Sequence, residues 1–399
     1  MRNLRSKFRT WLCSESNKCE RYKKSQKRKG YFMAGSSYGN HLSITTWGES
    51  HGPAIGATLD GFPAGMNLCV SDIQKYLDRR KPGQSEAATP RKEDDLVEIL
   101  SGVFEGRTTG TPISVLVRNT SQHSDDYRDI AEYYRPGHAD YTYDMKYGFR
   151  DYRGGGRSSG RETIGRVATG AICAKMLAQM GVDVCAYTRS IGPVQINHAN
   201  FDRAQILKSA TGMPDADADV RAMNYIAACR KQENSVGGVV ECVMHGVPAG
   251  IGDPVFRKLD AMLANAVMGI GAVKAVEIGD GCAVSEYLGS EDNDEFASEN
   301  NHIIKTSNHA GGILGGISDG SNIILRCFVK PTPSISQTQH TVTQTGEPVD
   351  VNIHGRHDPV VVPRAIVVVE CMCAITILDA MMSNMTARAS YLTDFYHRS

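Results

Sequence analysis

Apolar residues recur along this chain in two rhythms. β-Branched runs closed by Gly, Pro or Asn at 54–60, 112–118, 238–245 and 320–330 predict strands, and a short strand precedes Trp47. Helical spacing is clearer. Ser71 is placed to cap a helix over 72–80, with Gln74 at the capping-box position and Pro82-Gly83 as its stop. Over 161–180, Ile164, Val167, Ala168, Ala171, Ile172 and Met176 fall on one face, and Gly181 ends the run. Asp253-Pro254 opens a third helix through Leu259, Met262, Leu263 and Val267. Residues 218–233 and 364–384 have the same spacing. The mixture lacks a regular βαβ alternation, which predicts an α+β fold in one continuous domain over 33–399.

Charge changes that picture at one end only. Lys+Arg and Asp+Glu both total 44, yet residues 1–32 hold eleven bases and two acids, leaving a body of net −9 behind a tail of net +9. The tail has no amphipathic period, and its few aromatic residues make no stacking platform. It reads as an unstructured extension, or as sequence upstream of the natural start at Met33-Ala34. A nucleic-acid arm or a targeting peptide is the less favoured reading. With 41% hydrophobic and 22% charged residues, neither a wholly disordered chain nor a membrane bundle fits. The most apolar stretch, 365–378, reads as too short and too charged to cross a bilayer. Eleven cysteines form no C-x-x-C pair, as expected of small buried hydrophobes in a reducing compartment. The expectation is a soluble, intracellular, cytoplasmic protein with no nucleic-acid or membrane partner.

Forty glycines, about a tenth of the chain, gather with polar residues in a few places. Gly48-Glu49-Ser50-His51-Gly52 puts a histidine on a loop whose backbone can approach a ligand. Arg135-Pro136-Gly137-His138-Ala139-Asp140 sets an Arg and a His close together on a turn, which an anion such as phosphate would neutralise. Arg153-Gly154-Gly155-Gly156-Arg157-Ser158-Ser159-Gly160-Arg161 runs into the 161–180 helix, whose positive end favours an anion, and the two arginines there make sense if a dianion sits beside them. The glycines of Ser307–Gly316 suggest either backbone against a flat ligand or a tight turn. His354-Gly355-Arg356-His357-Asp358-Pro359 clusters titratable groups before the last long helix, where Asp358 could also be a plain N-cap with Pro359 at N1. P-loop and Rossmann fingerprints, G-x-S-x-G and H-E-x-x-H are absent. The residue types favour an anionic, phosphorylated substrate, histidine acid chemistry and no metal.

These motifs, with Leu100–Gly106, Gly246–Gly250 and Val276–Gly281 in the same order, closely resemble the chorismate synthase family from about residue 33 to 385. The resemblance implies helices sandwiched between antiparallel sheets and a homotetramer. It implies a lyase that eliminates phosphate from 5-enolpyruvylshikimate 3-phosphate to give chorismate, using reduced FMN without net redox change. His51 would protonate or stabilise the reduced flavin, His138 would be the acid near the departing phosphate, and Asp358, ionised beside Arg356, would assist proton removal at the flavin. Carried over by position, the flavin site comprises Arg157, Ser158, Ser159, Gly271, Ala272, Gly315, Lys330, Pro331, Thr332, Pro333, Ser334 and Arg356. Arg80, Arg135 and Arg161 would hold substrate or NADP(H). Glu86 stands where many bacterial relatives have another arginine, which leaves NADPH as reductant open and makes Arg91 a candidate replacement; an external flavin reductase is the expected electron source. So many cations in one place imply a site that is loose until anions fill it. A flavin oxidoreductase that consumes a hydride acceptor is the main rival.

Overall fold

The computed structural model describes residues 35–81, 94–120, 131–353 and 358–397. It divides into a unit of residues 1–37 and a unit of 38–399, and the latter is described here. Two antiparallel sheets enclose a helical layer. In the first sheet β1 (Ser43–Gly48), β2 (Ala54–Asp60), β4 (Ile113–Arg118) and β3 (Val97–Ile99) lie side by side in that order. In the second, β7 (Val273–Ile278), β8 (Ile323–Val329), β6 (Gly238–His245) and β5 (Asp183–Ile191) do so. Every ladder in both is antiparallel, so each strand shows one face to the helices by simple alternation. Val240, Cys242 and Met244 on β6 are fully buried, whereas His245 beside them is exposed.

The helices between the sheets are α1 (Val70–Arg80), α3 (Thr163–Gln179), α5 (Leu259–Met268) and α6 (Val362–Asn384). A short α2 (Asp140–Tyr147), α4 (Ala216–Lys231) and a terminal α7 (Ala389–Tyr396) complete the larger elements. α3 packs on the first sheet and α6 on the second, and the two helices meet where Gly170 faces Cys371; a Cβ on Gly170 would lie 2.3 Å from that of Cys371. α6 has 23 residues and is apolar enough to cross a membrane, longer than its core sequence suggested, but 89% of its apolar window is buried in the protein. Its two carboxylates are fully engaged, as buried charges must be. Glu370 takes a two-pronged bond from Arg79 (2.7 and 2.9 Å), and Asp379 accepts the main-chain N–H groups of Asn40, His41 and Leu42.

The predicted strands all form, and several helix boundaries move. α1 starts two residues earlier, with Cys69 as N-cap and Asp72 accepting the Cys69 N–H at 2.9 Å. Ser71 is thus inside the helix, and Gln74 instead docks the helix on β3 by accepting from Val97 N (3.0 Å). Asp253-Pro254 leads only a 3-10 turn, Val255–Arg257, because Lys258 is extended and α5 starts at Leu259. α6 begins at Val362 with Pro in its first turn, so Asp358 is not its cap. Strands β5 and β7 and helix α2 were not expected. Nine cysteines among the described residues are free thiols, five of them buried. Residues 1–32, Glu86 and Arg91 lie outside the described residues.

Candidate active site

β1 ends at Gly48 and β2 begins at Ala54, and the turn between them, closed by Gly52 N–H to Glu49 O (3.1 Å), carries His51 at its tip. Ser50 Oγ lies 3.2 Å from His51 Nδ1. The glycine run 154–156 passes directly over the imidazole: a Cβ on Gly154 would sit 2.3 Å from both Cε1 and Nδ1 of His51. Arg157 fastens this run to β1, donating to Gly48 O (3.1 Å), Thr46 O (3.0 Å) and Thr46 Oγ1 (2.6 Å). The run itself folds as two 3-10 turns, Gly156–Ser158 and Gly160–Glu162, ahead of α3. Ser158 Oγ donates to Gly155 O, and Ser159 Oγ accepts from Arg161 N. The helix proper starts only at Thr163, so Arg157 and Arg161 precede its positive end.

A line of ion pairs leads away from the histidine. Arg161 bonds Asn119 Oδ1 through Nε (3.1 Å) and Nη2 (2.8 Å) and lies 3.2 Å from Asp95. The other oxygen of Asp95 takes Arg80 Nη2 at 2.5 Å, with both side chains 1% exposed. Asp95 holds this position at φ 45°, an uncommon backbone for a residue with a side chain. Arg80 also reaches Gly160 O (3.3 Å); its burial lowers its pKa against the pull of Asp95, and a guanidinium remains charged regardless. Arg364 donates to the carbonyl of Arg80 (3.3 Å) and pairs with Asp358 at 2.5 Å. Asp358 therefore has Arg364 as a cationic partner; the expected one, Arg356, lies outside the described residues with Gly355, His354 and His357.

The 135–140 turn forms a second centre. Arg135 and Asp140 make a two-pronged pair (2.8 and 2.7 Å), and Asp140 also accepts Arg135 N–H. Burial pushes the Asp140 carboxyl up, but the Arg135 bonds and charge outweigh it and hold the carboxyl below its ordinary value. His138 Nδ1 lies 3.0 Å from Pro136 O and Nε2 2.9 Å from Ser334 Oγ. Since a carbonyl only accepts, Nδ1 carries a hydrogen; Nε2 accepts from Ser334 when the ring is neutral and donates to it when the ring is protonated. Lys330 donates to Gly137 O (3.0 Å), and Gly137, at φ 71°, leaves no room for a Cβ against Pro333. Lys330 N–H in turn bonds Ala272 O (2.9 Å), and Ala272 is itself left-handed at φ 74°. The two centres are linked through Pro359 O, which accepts from Val236 N (2.9 Å), and Ser235 Oγ, which donates to Thr332 O (2.6 Å).

His51, Arg157, Arg161, Arg80 and Asp358 thus belong to one bonded set, and His138, Arg135, Lys330–Ser334 and Ala272 to the adjoining one. Gly271 precedes Ala272 and faces open space. Gly315 is not brought to this group. It sits with Gly316 at the tip of a hairpin, Ile313–Leu314 with Ile317–Ser318, in the φ > 0 conformation of a two-residue turn. Gly316 O caps the start of α5 at Leu259, whereas Ala272 follows that helix's far end, so the ten residues of α5 put ~15 Å between them. Gly315 and Gly316 form a tight turn. The anion expected beside Arg135 is the protein's own Asp140, and Asp95 and Asp358 likewise offset neighbouring arginines, so the cation cluster does not depend on ligands alone. Asp95, Asn119 and Arg364 were missed. Asp95 and Asn119 are distant in sequence from their arginine partners, Arg364 stands six residues after Asp358 but outside its motif, and only Asp140 stood inside a visible motif.

Two histidines on tight turns, a bonded row of arginines and acids, and an α+β sandwich that seats them define an enzyme acting on a small polyanion. The family model described as chorismate synthase matches residues 42–382. A chorismate synthase of Agathobacter rectalis is 60% identical, over 92% of this chain and 100% of the relative, and one of Methanocella arvoryzae is 54% identical, over 88% and 95%. A solved chorismate synthase crystal structure superposes with a TM-score of 0.71 at 30% identity, covering 90% of this chain and 97% of that one. The chain belongs to the chorismate synthase family.

Proposed function

We propose that His138 is the proton donor to the departing phosphate, that His51 serves the flavin, and that Asp358 receives or orients the proton lost from carbon. The reaction is the lyase step that converts 5-enolpyruvylshikimate 3-phosphate to chorismate and phosphate, the last of the shikimate pathway. The observation that carries the assignment of the acid is the His138 geometry. Pro136 O fixes one hydrogen on Nδ1, so the proton that the ring gains as imidazolium and can give to the leaving group is the one at Nε2, the atom facing Ser334. A phosphate leaving as a dianion needs a proton or cations at that moment, and histidine is matched to this near neutral pH. Arg161 and Arg157 supply positive charge from the His51 side, and Arg364, paired with Asp358 at 2.5 Å, orients its carboxyl group.

The residues present fit a flavin. Thr332 Oγ1, in the Lys330–Ser334 segment, is buried without a hydrogen-bond partner among the described residues. In the same segment Lys330 N–H bonds the left-handed Ala272, and Gly271 before it has an open face. Lys330–Ser334, Gly271-Ala272 and Arg157–Ser159 would hold the group, with Arg356 as a further candidate. Held by these residues, reduced FMN would supply transient electron donation to a reaction with no net oxidation. An external flavin reductase would supply it in reduced form. A cytoplasmic homotetramer completes this reading.

The test is anaerobic turnover with flavin in trace amount, reduced by dithionite. Chorismate and phosphate should appear in equal amounts, far exceeding the flavin. His138→Ala should lower kcat by ~10²–10⁴. Unchanged turnover in that variant would remove His138 as the acid; consumption of a hydride acceptor would favour an oxidoreductase.

A further inference from the structure

Asn119 follows β4 directly, and its own N–H donates to Pro53 O (3.1 Å). Its side chain lies between the two parts of the site that face the histidine. Nδ2 donates to Glu49 O (3.0 Å) and Gly52 O (2.7 Å), the two ends of the turn that presents His51. Oδ1 accepts both Nε and Nη2 of Arg161. A carboxamide has two N–H donors and one oxygen with two lone pairs, and here all four are used. The orientation is unambiguous: a flipped amide would set NH2 against a guanidinium and oxygen against two carbonyls.

No other natural side chain of this length satisfies both partners. Aspartate can serve Arg161 but has nothing to donate to the turn, and serine reaches one partner at a time. We propose that Asn119 is a positioning residue that holds the His51 turn and the Arg161 guanidinium in a single geometry. A substrate anion that moves Arg161 thereby moves, or is resisted by, the histidine turn. This rests on the roles given above to His51 and Arg161.

The experiment is a double-mutant cycle in the anaerobic turnover assay, with the thermal midpoint as the check of folding. Asn119→Asp keeps the Arg161 acceptor and loses both donations. It should lower kcat ~10–100-fold while the KM for 5-enolpyruvylshikimate 3-phosphate moves less than ~3-fold, a split that general loosening would not give. Combined with His51→Ala, it should cost at most ~2-fold beyond His51→Ala alone, because both substitutions disable the same element. Asn119→Asp turnover at the wild-type rate overturns the inference, as does a double variant whose loss is the product of the two single losses. If His51→Ala itself turns over normally, the role of His51 has failed and the inference falls with it; slow His51→Ala with fast Asn119→Asp removes the inference alone. Should Asn119→Asp not fold, Asn119→Ser is read by the same criteria.

Discussion

Gly154 owes its identity to a side chain elsewhere in the chain. The His51 ring occupies the volume a Cβ would need, 2.3 Å away where no real contact is found. Gly154→Ala should therefore push the imidazole off its turn. The position lies in an irregular stretch before the first 3-10 turn, away from the hydrophobic core, so the thermal midpoint should change little. Turnover should fall ~10–100-fold, toward the level of His51→Ala, and steady-state kinetics with a melting curve would check both. Wild-type turnover would mean the ring has another place to sit. At this scale the sequence was informative about which residues are special and poor at saying what they touch. Arg135 and His138 were visible as a pair needing an anion, but the anion was Asp140, in the same motif. Asp95 could not be identified, since its arginine partners come from other elements, and Arg364, although six residues from Asp358, lies outside the glycine-rich run that drew attention to it.

Helix α1 shows how an element is anchored at its first turn. Asp72 accepts the Cys69 N–H and takes Lys175 Nζ of α3 at 2.5 Å, so one carboxylate both caps α1 and ties it to the central helix. Burial acts to raise the Asp72 pKa, but the Lys175 and Cys69 bonds outweigh it and bring it from 3.8 to about 2. A depressed folded-state value means the stabilisation is complete above the unfolded value and is lost as pH falls through the folded one. Asp72→Asn should destabilise the protein by about 1–2 kcal/mol near neutrality. The difference from wild type should shrink as pH drops from about 4 to about 2. Urea titrations at a series of pH values would measure it, and a constant difference across that range would refute the coupling. Hydrophobic period located this helix correctly but misplaced its cap, because a cysteine is an unusual N-cap and Ser71 looked better. Strand β5 escaped notice for a related reason: Tyr187 and Arg189 point to one face, where Glu241 binds both, while Ala186 and Thr188 point to the core, so no clean apolar alternation survives.

Across the whole molecule, the charges of the body and of residues 1–32 are equal and opposite, −9 and +9, and the apparent neutrality of the chain is their sum. Every described side chain placed in the active site belongs to residues 46–364, and the core that supports it begins at Leu42. A mildly acidic body that must attract an anion does so with local arginines rather than with net charge. Deleting residues 1–32 should consequently leave kcat and KM within about twofold of the full chain, since none of the acid–base groups is touched. It should also abolish any retention on a polyanion matrix. Retention of the full chain should fall steeply with salt, as counterion release requires. Turnover that drops with the deletion at unchanged thermal stability would show that the segment reaches the substrate or the flavin donor. Polyanion binding that survives the deletion would locate a second cationic surface on the body, where the arginines described here are already committed to Asp95, Asp140 and Asp358.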